Sequence, residues 1–213
     1  MKIYGFPLSP FVRKTVVALH EKDVDFELVP TNPQQPDAEF SACSPFNKIP
    51  AMDDGGFKLA DSTAIIAYVD ALYPGARLIP EEAKARGQAV WFEEVADTVL
   101  VPAGVGMVVN RFLRPKIFGT EGDEEAAKAS EEAVKKPLSY LESAVSGSWL
   151  AGEFSVGDVA VASVLKTLSY TGWSIDAATY PKLAAWYARV GERAGWQKAA
   201  AQEQAIFAGA GLS

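Results

Sequence analysis

Cysteine and histidine are almost absent from this chain of 213 residues, which has a single Cys43 and a single His20. One cysteine cannot form an internal disulfide, so nothing in the sequence indicates an oxidising compartment. Neither a Cys-x-x-Cys motif nor a spaced pair of histidines is available, and we therefore expect no metal site. Cys43 is interpreted as an inert loop residue, and His20 as a structural one.

Long apolar runs and an excess of positive charge are also missing. No stretch approaches the roughly 18 consecutive apolar residues of a membrane-spanning helix, and the first residues do not form an export signal. With 20 Lys and Arg against 27 Asp and Glu, the net charge is -7, which would repel a polyanion. We therefore expect a cytoplasmic protein that binds neither membranes nor nucleic acid.

The remaining composition is that of an ordinary globular protein, with 49% hydrophobic and 22% charged residues. The length is comfortable for two compact domains. The character of the chain changes near residue 76, where alternating strand and helix patterns give way to helices alone. We predict an α/β domain over residues 1–76, a linker over 77–85 and an all-helical domain over 86–213.

Short strand-like runs alternate with helical spacing in the first domain. Apolar residues recur at helical intervals over residues 10–23 and again over 62–72. The segment Asp53-Asp-Gly-Gly56 suits the positive φ angles of a tight hairpin. The predicted order is therefore β-α-β followed by β-β-α. Its strands are placed at residues 2–6, 26–29, 51–52 and 57–59, with a loop containing one helical turn over 31–45.

Strand patterns almost vanish after the linker. Helices are predicted over residues 86–118, 123–145, 156–171, 181–193 and 196–207, separated by glycine and proline. Pro137 lies inside the second of these helices and should kink it or shift its start. Pro102, Gly104 and Gly106 similarly disturb the first helix, in a segment that could line a cleft.

Ser9 and Pro10 form the strongest local signal, because serine at the N-cap and proline at the first helical position are what a helix start prefers. Ser9 could serve only as a cap. Its hydroxyl can also donate a hydrogen bond to a ligand, and the positive potential of a helix N-terminus favours an anion such as a thiolate. Both roles are compatible with the pattern.

Two further segments suggest a binding site for a peptide. Ile49-Pro50 lies between the two halves of the α/β domain, where thioredoxin-like folds have a cis proline that turns the preceding backbone towards a cysteinyl peptide. Asp61 and Ser62 open the third helix, where they could act only as a cap. Alternatively, Ser62 and the helix N–H groups could bind a carboxylate, while Asp61 binds an ammonium or orders the pocket.

Taken in order, Ser9-Pro-Phe-Val-Arg13, Asn47-Lys-Ile-Pro50 and Asp61-Ser62 resemble the cytosolic glutathione transferase family. A fourth segment, Phe154-Ser-Val-Gly-Asp158, is similar to the capping box of that family's helical domain. The resemblance covers the whole chain and is nearest to serine-type members, the plant phi-like and theta-like enzymes and their bacterial relatives. It implies a thioredoxin-like N-terminal domain, an all-α C-terminal domain and a homodimer.

The resemblance also implies roles for individual residues. Ser9 would stabilise the glutathione thiolate as the catalytic residue, with Tyr4 as a less favoured rival. Glutathione would be bound by Gln35, Lys48, Ile49, Pro50, Asp61 and Ser62. A pocket for a small hydrophobic electrophile would involve Leu8, Phe11, Met107, Arg111 and Phe112. Glutathione is then a co-substrate, and no other cofactor is expected.

The chain departs from redox-active relatives in one important position. Those relatives have a cysteine where this chain has Ser9, so thiol–disulfide exchange at that position is disfavoured. Conjugation of glutathione to an electrophile is the leading hypothesis. Two alternatives stay open: another glutathione-dependent reaction, such as peroxide reduction, dehalogenation or isomerisation, and a non-catalytic binding module with the same fold.

Overall fold

The computed structural model describes residues 1–75 and 77–211. By their contacts, the residues fall into two compact units, one of Met1–Ile79 with Glu192–Ser213 and one of Pro80–Gly191. Among the described residues, no helix combines the length and the apolar character that crossing a membrane requires.

The first unit begins with four strands and three helices in the predicted order. They are β1 (Lys2–Tyr4), α1 (Pro10–Glu21), β2 (Glu27–Val29), α2 (Ala38–Cys43), β3 (Ala51–Asp54), β4 (Phe57–Ala60) and α3 (Ser62–Leu72). The sheet order is β2-β1-β3-β4, in which β1 and β2 are parallel and the other two pairs are antiparallel. This arrangement confirms the thioredoxin-like β-α-β and β-β-α prediction.

Apolar side chains on one face of the sheet form the core of this unit. Ile3 and Met52, which are paired across β1 and β3, pack with Leu19 of α1 and with Ile65 and Val69 of α3. All five are almost completely buried. The helical spacing that predicted α1 and α3 therefore marks the faces that cover the sheet.

Two local details differ from the sequence interpretation. Cys43 does not lie in a loop, because it is the last residue of α2, whose first turn is capped by the Asp37 carboxylate accepting the N–H of Phe40. The hairpin turn is also shorter than predicted, since β3 continues to Asp54. Only Gly55 and Gly56, with φ of 59° and 97°, form the turn itself.

The second unit is helical, as predicted. It contains α4 (Ala83–Glu94), α5 (Val101–Val108), α6 (Glu124–Ala133), α7 (Lys135–Ala144), α8 (Val156–Ser169) and α9 (Pro181–Gly191), with π-helical stretches at Val95–Leu100 and Val109–Phe118. The predicted helix over 123–145 divides at Val134, three residues before Pro137. A proline ring excludes the regular backbone hydrogen bond one turn earlier, which accounts for the shift.

The glycines of α5 allow close packing and do not end the helix. A β-carbon built at Gly104 would lie 2.6 Å from the side chain of Leu168 on α8, and one at Gly106 would lie 2.8 Å from Ser130 on α6. Neighbouring helices therefore approach α5 so closely that a larger residue at either position would require Leu168 or Ser130 to shift. The long helix predicted over 86–118 is irregular on both sides of α5, where the backbone is π-helical, while the two glycines themselves lie within α5.

The last helix, α10 (Ala194–Gly209), packs against α1 and belongs by its contacts to the first unit. The rings of Phe6 and Phe207 stack with centroids 5.7 Å apart, and the Arg193 guanidinium donates to the Glu21 carboxylate at 3.0 Å. The sequence interpretation assigned all of 86–213 to the helical domain. The contacts instead place α10 in the first unit, because both pairings join it to residues near the start of the chain.

Candidate functional site

The N-terminus of α1 presents a serine whose side chain is not used by the helix. Ser9 is the N-cap residue in extended backbone conformation, and Pro10 is the first helical residue, as predicted. Its hydroxyl caps none of the described N–H groups of α1, and the residue is partly exposed. The helix is therefore started by backbone geometry and proline, which leaves the hydroxyl available to a ligand near the positive end of the helix.

The loop before Pro50 is ordered by a serine that the sequence interpretation missed. The buried Ser44 hydroxyl donates to the Lys48 carbonyl at 2.7 Å and accepts the Lys48 N–H at 2.8 Å. Between them Asn47 adopts a left-handed conformation with φ of 52°. The Lys48 side chain is exposed to solvent. Ser44 thus fixes the backbone that leads to Ile49 while leaving the lysine free to project outward.

The peptide bond between Ile49 and Pro50 is cis, at the position where the sequence pattern predicted it. The Pro50 carbonyl accepts the Asp61 N–H at 3.2 Å, so this loop is joined directly to the start of α3. Ser62, the first residue of α3, is almost completely buried. The structure therefore brings the predicted residues Ile49, Pro50, Asp61 and Ser62 together through neighbouring backbone.

The carboxylate of Asp61 caps α3. It accepts the N–H groups of Thr63 at 2.9 Å and Ala64 at 3.1 Å, and the residue has a positive φ of 87°. This is the capping role that the sequence left open, and it orders the helix start that a ligand carboxylate would approach.

Gln35, the remaining residue predicted to bind glutathione, lies in a turn that follows β2. It is exposed, and its N–H donates to the Asn32 carbonyl.

Tyr4, the rival proton donor, is occupied elsewhere. Its hydroxyl donates to the Glu39 carboxylate at 3.2 Å, and the side chain is buried. Burial, followed by the hydrogen bond to Glu39, raises the pKa of Tyr4 to about 12. A phenol that is held by a carboxylate and resists ionisation is poorly suited to activate a thiol.

Cys43 is a weak nucleophile in this environment. Burial raises the pKa of its thiol and so disfavours the reactive thiolate, which agrees with an inert role.

The residues predicted for the electrophile pocket differ in accessibility. In the first unit Leu8 is buried and Phe11 is partly exposed. In the second unit Met107 is completely buried, and the Phe112 ring lies 5.5 Å from that of Tyr170. These four side chains are apolar, as a hydrophobic substrate requires, but Met107 exposes no surface. All four assignments stay predictions.

Arg111 is bound within its own unit. Its guanidinium forms ion pairs with Glu124 at 2.7 Å and with Glu131 at 2.8 Å, both on α6. The hydrogen bond to Glu124 contributes most to raising the pKa of Arg111 further above its usual value. The side chain therefore has a structural task in joining the second π-helical stretch to α6, and its predicted contact with substrate stays a prediction.

Arg13 was part of the sequence motif but received no role. Its guanidinium is buried, donating from Nε to Glu203 at 2.7 Å and from one terminal nitrogen to the Pro7 carbonyl at 2.7 Å. The available signal was its spacing of four residues from Ser9, which places Arg13 one helical turn away, with its N–H donating to the Ser9 carbonyl at 3.0 Å. Among the described residues, no group of three or more His, Cys, Asp or Glu side chains could hold a metal ion.

Comparisons with known proteins agree with this geometry. The family model of the glutathione S-transferase N-terminal domain matches residues 3–77, and that of the C-terminal domain matches residues 97–194. Glutathione S-transferase of Hyoscyamus muticus is 32% identical over 212 residues, covering 96% of this chain and 99% of the relative. Glutathione S-transferase 4 of Zea mays is 32% identical over 220 residues, covering 99% and 96%.

Solved structures of similar proteins have the same fold. A glutathione S-transferase from Rhodospirillum rubrum matches with a TM-score of 0.86 at 26% identity, covering 93% of this chain and 90% of that one. Glutathione S-transferase I bound with lactoylglutathione matches with a TM-score of 0.84 at 28% identity, covering 94% and 98%. Since both domain models match and the relatives align over nearly the whole length, the chain belongs to the glutathione S-transferase family of enzymes.

Proposed function

We propose that this enzyme is a serine-type transferase, similar to phi-like and theta-like members, that transfers glutathione to small hydrophobic electrophiles. The observation that carries the proposal is the Ser9 hydroxyl, which is unused by the helix that it begins. Ser9 donates a hydrogen bond to the glutathione sulfur and so favours the thiolate over the thiol. The thiol proton is released to solvent and the thiolate attacks the electrophile, so that a C–S bond forms while a leaving group departs with its electron pair or, in an addition, a π bond opens.

The energy that this activation requires is within reach of the site. A thiol with a pKa of about 8.5 is only about 3% ionised at neutral pH. Lowering its pKa by about two units makes it roughly three-quarters ionised and requires about 2.7 kcal/mol. One hydrogen bond to a charged group contributes about 1.5–3 kcal/mol, and the N-terminus of α1 adds about 0.3–1 kcal/mol. Neither general base nor metal is needed.

The rest of the tripeptide is bound by the neighbouring loop and helix. The Ile49 backbone, presented by the cis bond to Pro50, pairs with the cysteinyl unit. Ser62, through its hydroxyl and its own N–H, binds the γ-glutamyl carboxylate, and Asp61 orders that helix start by accepting the N–H groups of Thr63 and Ala64. The exposed ammonium of Lys48 and the exposed side-chain amide of Gln35 bind the glycyl carboxylate. Leu8 and Phe11, next to Ser9 in the chain, contact the electrophile.

We also propose that the enzyme is a cytoplasmic homodimer that uses glutathione as co-substrate without a further cofactor. Support for self-association comes from Phe46, whose side chain is 82% exposed in the loop ordered by Ser44. A phenylalanine exposed to that extent gains about 1.5–3 kcal/mol from burial in an interface. Phe46→Ser should therefore weaken the dimer, and sedimentation over a range of concentrations would measure the change. A wild-type monomer at high concentration would contradict this part of the proposal.

Titration of bound glutathione by thiolate absorbance tests the catalytic role of Ser9. Wild type should bind glutathione with a lowered thiol pKa and turn over an aryl halide, the halide leaving as the C–S bond forms. Ser9→Ala should raise that pKa by about one to two units while glutathione still binds, because the N-terminus of α1 is retained. Ser41→Ala, the same substitution at an exposed position of α2, is the matched control and should change neither quantity.

Three results would contradict the proposal in different ways. Failure of the wild type to bind glutathione would favour the non-catalytic binding module. An equal thiol pKa in wild type and Ser9→Ala would remove Ser9 from catalysis. A lowered thiol pKa without turnover of aryl halides or other conjugation substrates would favour peroxide reduction, dehalogenation or isomerisation.

A further inference from the structure

A buried ion pair joins the helix that begins at Ser9 to the last helix of the chain. Glu203 of α10 accepts a hydrogen bond from Arg13 Nε at 2.7 Å and lies 2.6 Å from one of its terminal nitrogens. The two side chains are only 4% and 7% exposed. An ion pair that loses its hydration to this extent persists only when its geometry and its additional hydrogen bonds are good.

The additional hydrogen bond of Arg13 is made to the segment that immediately precedes Ser9. The same terminal nitrogen of Arg13 that contacts Glu203 also donates to the Pro7 carbonyl at 2.7 Å, two residues before Ser9. A second hydrogen bond holds the same segment, because the Ser9 N–H donates to the Phe6 carbonyl at 3.0 Å. The segment between β1 and α1 is thus held at two successive carbonyl groups, and one of these is held by a guanidinium that Glu203 orients.

We propose that Glu203 is a positioning residue for Ser9, an inference that rests on the proposed function. Glu203 fixes the guanidinium plane of Arg13, Arg13 fixes the Pro7 carbonyl, and the carbonyl fixes the backbone from which the Ser9 hydroxyl projects. The end of the chain therefore takes part in activating a thiol at its beginning. Catalysis is sensitive to such placement, because a hydrogen bond that must favour a thiolate loses strength quickly with distance and angle.

The chain offers a matched control for this role. Glu21 and Arg193 form another ion pair between the α1 and α10 segments, with Arg193 Nε donating to the Glu21 carboxylate at 3.0 Å. This pair lies at the opposite end of α1, which has 12 residues and is therefore roughly 18 Å long. Breaking it loosens the same two helices without touching the segment before Ser9.

The experiment measures the thiol pKa of bound glutathione, together with kcat and KM, in Glu203→Gln and in Arg193→Ala. Glutamine keeps the length of the side chain and one acceptor oxygen but loses the charge that orients the guanidinium. Glu203→Gln should raise the thiol pKa by about one unit and, at pH values below the wild-type thiol pKa, lower kcat by about tenfold. Because Lys48, Ile49 and Ser62 are unaffected, KM for glutathione should change much less than kcat. Arg193→Ala should leave the thiol pKa at its wild-type value.

A double-mutant cycle separates positioning from a direct electrostatic effect of the carboxylate. If Glu203 acts through Ser9, then Glu203→Gln should cause no further shift in thiol pKa when Ser9 is already alanine. An equal shift in both backgrounds would overturn the proposal. If Glu203→Gln does not fold, Glu203→Asp keeps the charge and displaces it by one methylene, and the same increase in thiol pKa is expected. A folded variant with the wild-type thiol pKa would also overturn it.

The wild-type titration distinguishes this proposal from the one on which it rests. A thiol that titrates on the wild-type enzyme as it does in free glutathione removes both proposals. A lowered wild-type pKa that rises in Ser9→Ala but not in Glu203→Gln or Glu203→Asp leaves the proposed function intact and removes only the role of Glu203.

Discussion

Replacing Asp158 with alanine should destabilise the second unit more than any exposed cap of the same protein. Asp158 is completely buried at the start of α8. One carboxylate oxygen accepts the Leu150 N–H at 2.9 Å and the Trp186 indole N–H at 2.7 Å. The other accepts the Ser155 N–H at 3.0 Å. A single side chain therefore satisfies three N–H groups from three parts of the unit.

The expected magnitude follows from these contacts. Each buried donor left without an acceptor costs about 1–3 kcal/mol, and water that enters the vacated space lowers the total towards the small end of the range. Burial raises the pKa of Asp158, so removing the carboxylate also recovers part of the free energy spent on its desolvation. We expect a net loss of about 3–5 kcal/mol in the free energy of unfolding, in the range found for disrupted buried polar networks.

Urea unfolding followed by circular dichroism measures the loss, with Asp123→Ala as the matched control. Asp123 caps α6 through the N–H of Ala126 at 3.0 Å but is exposed, so its replacement should cost only about 1 kcal/mol. Asp158→Asn, which keeps one acceptor oxygen, should fall between the two. Equal losses for Asp158→Ala and Asp123→Ala would refute the reasoning that burial of the network sets the cost.

Three further predictions concern the first unit. Tyr4→Phe should leave turnover of the aryl halide within about twofold of wild type, because it removes only the hydrogen bond to Glu39, worth on the order of 1 kcal/mol; a large loss of turnover would restore the tyrosine alternative. Burial lowers the pKa of His20, so the unfolded chain takes up its proton first as the pH falls below about 6.5. Thermal melts should show stability declining from that pH down to the folded-state pKa, and His20→Gln should make the decline smaller. Asp70→Ala should cost about 3–5 kcal/mol in urea unfolding, because it removes a buried carboxylate that pairs with Lys22 and accepts the N–H groups of Leu78 and Ile79; a loss near zero would contradict this account.

The sequence predicted those parts of the fold that depend on neighbouring residues. Apolar spacing located α1 and α3, and the pair Gly55-Gly56 located the hairpin, because periodicity and positive φ angles are local properties. The start of α1 at Ser9 was predicted for the same reason, because serine followed by proline favours a helix start through local geometry. The capping box of α8 was also visible, because Ser155 and Asp158 are three residues apart.

What the sequence did not reveal depends on approach between distant segments. Gly104 and Gly106 were interpreted as breaks, since composition alone cannot show that Leu168 and Ser130 lie against them. In the same way, the pattern identified Asp158 as a cap but could not show that Trp186 donates to it from another helix. In each case the sequence identified the residue, but its structural role depends on a contact with a residue elsewhere in the chain.

Charged residues are the extreme case of this limitation. Arg13 and Glu203 are 190 positions apart, and each taken alone is a residue type that lies at the surface. Each one provides a counter-ion that makes the burial of the other less costly, so no pattern around either residue could indicate that burial. Local motifs therefore identify candidate ligand-binding groups, such as the proposed Ser9, better than they identify buried ion pairs such as Arg13 with Glu203. For this reason the variants of Glu203 test the site more stringently than another substitution within the motif would.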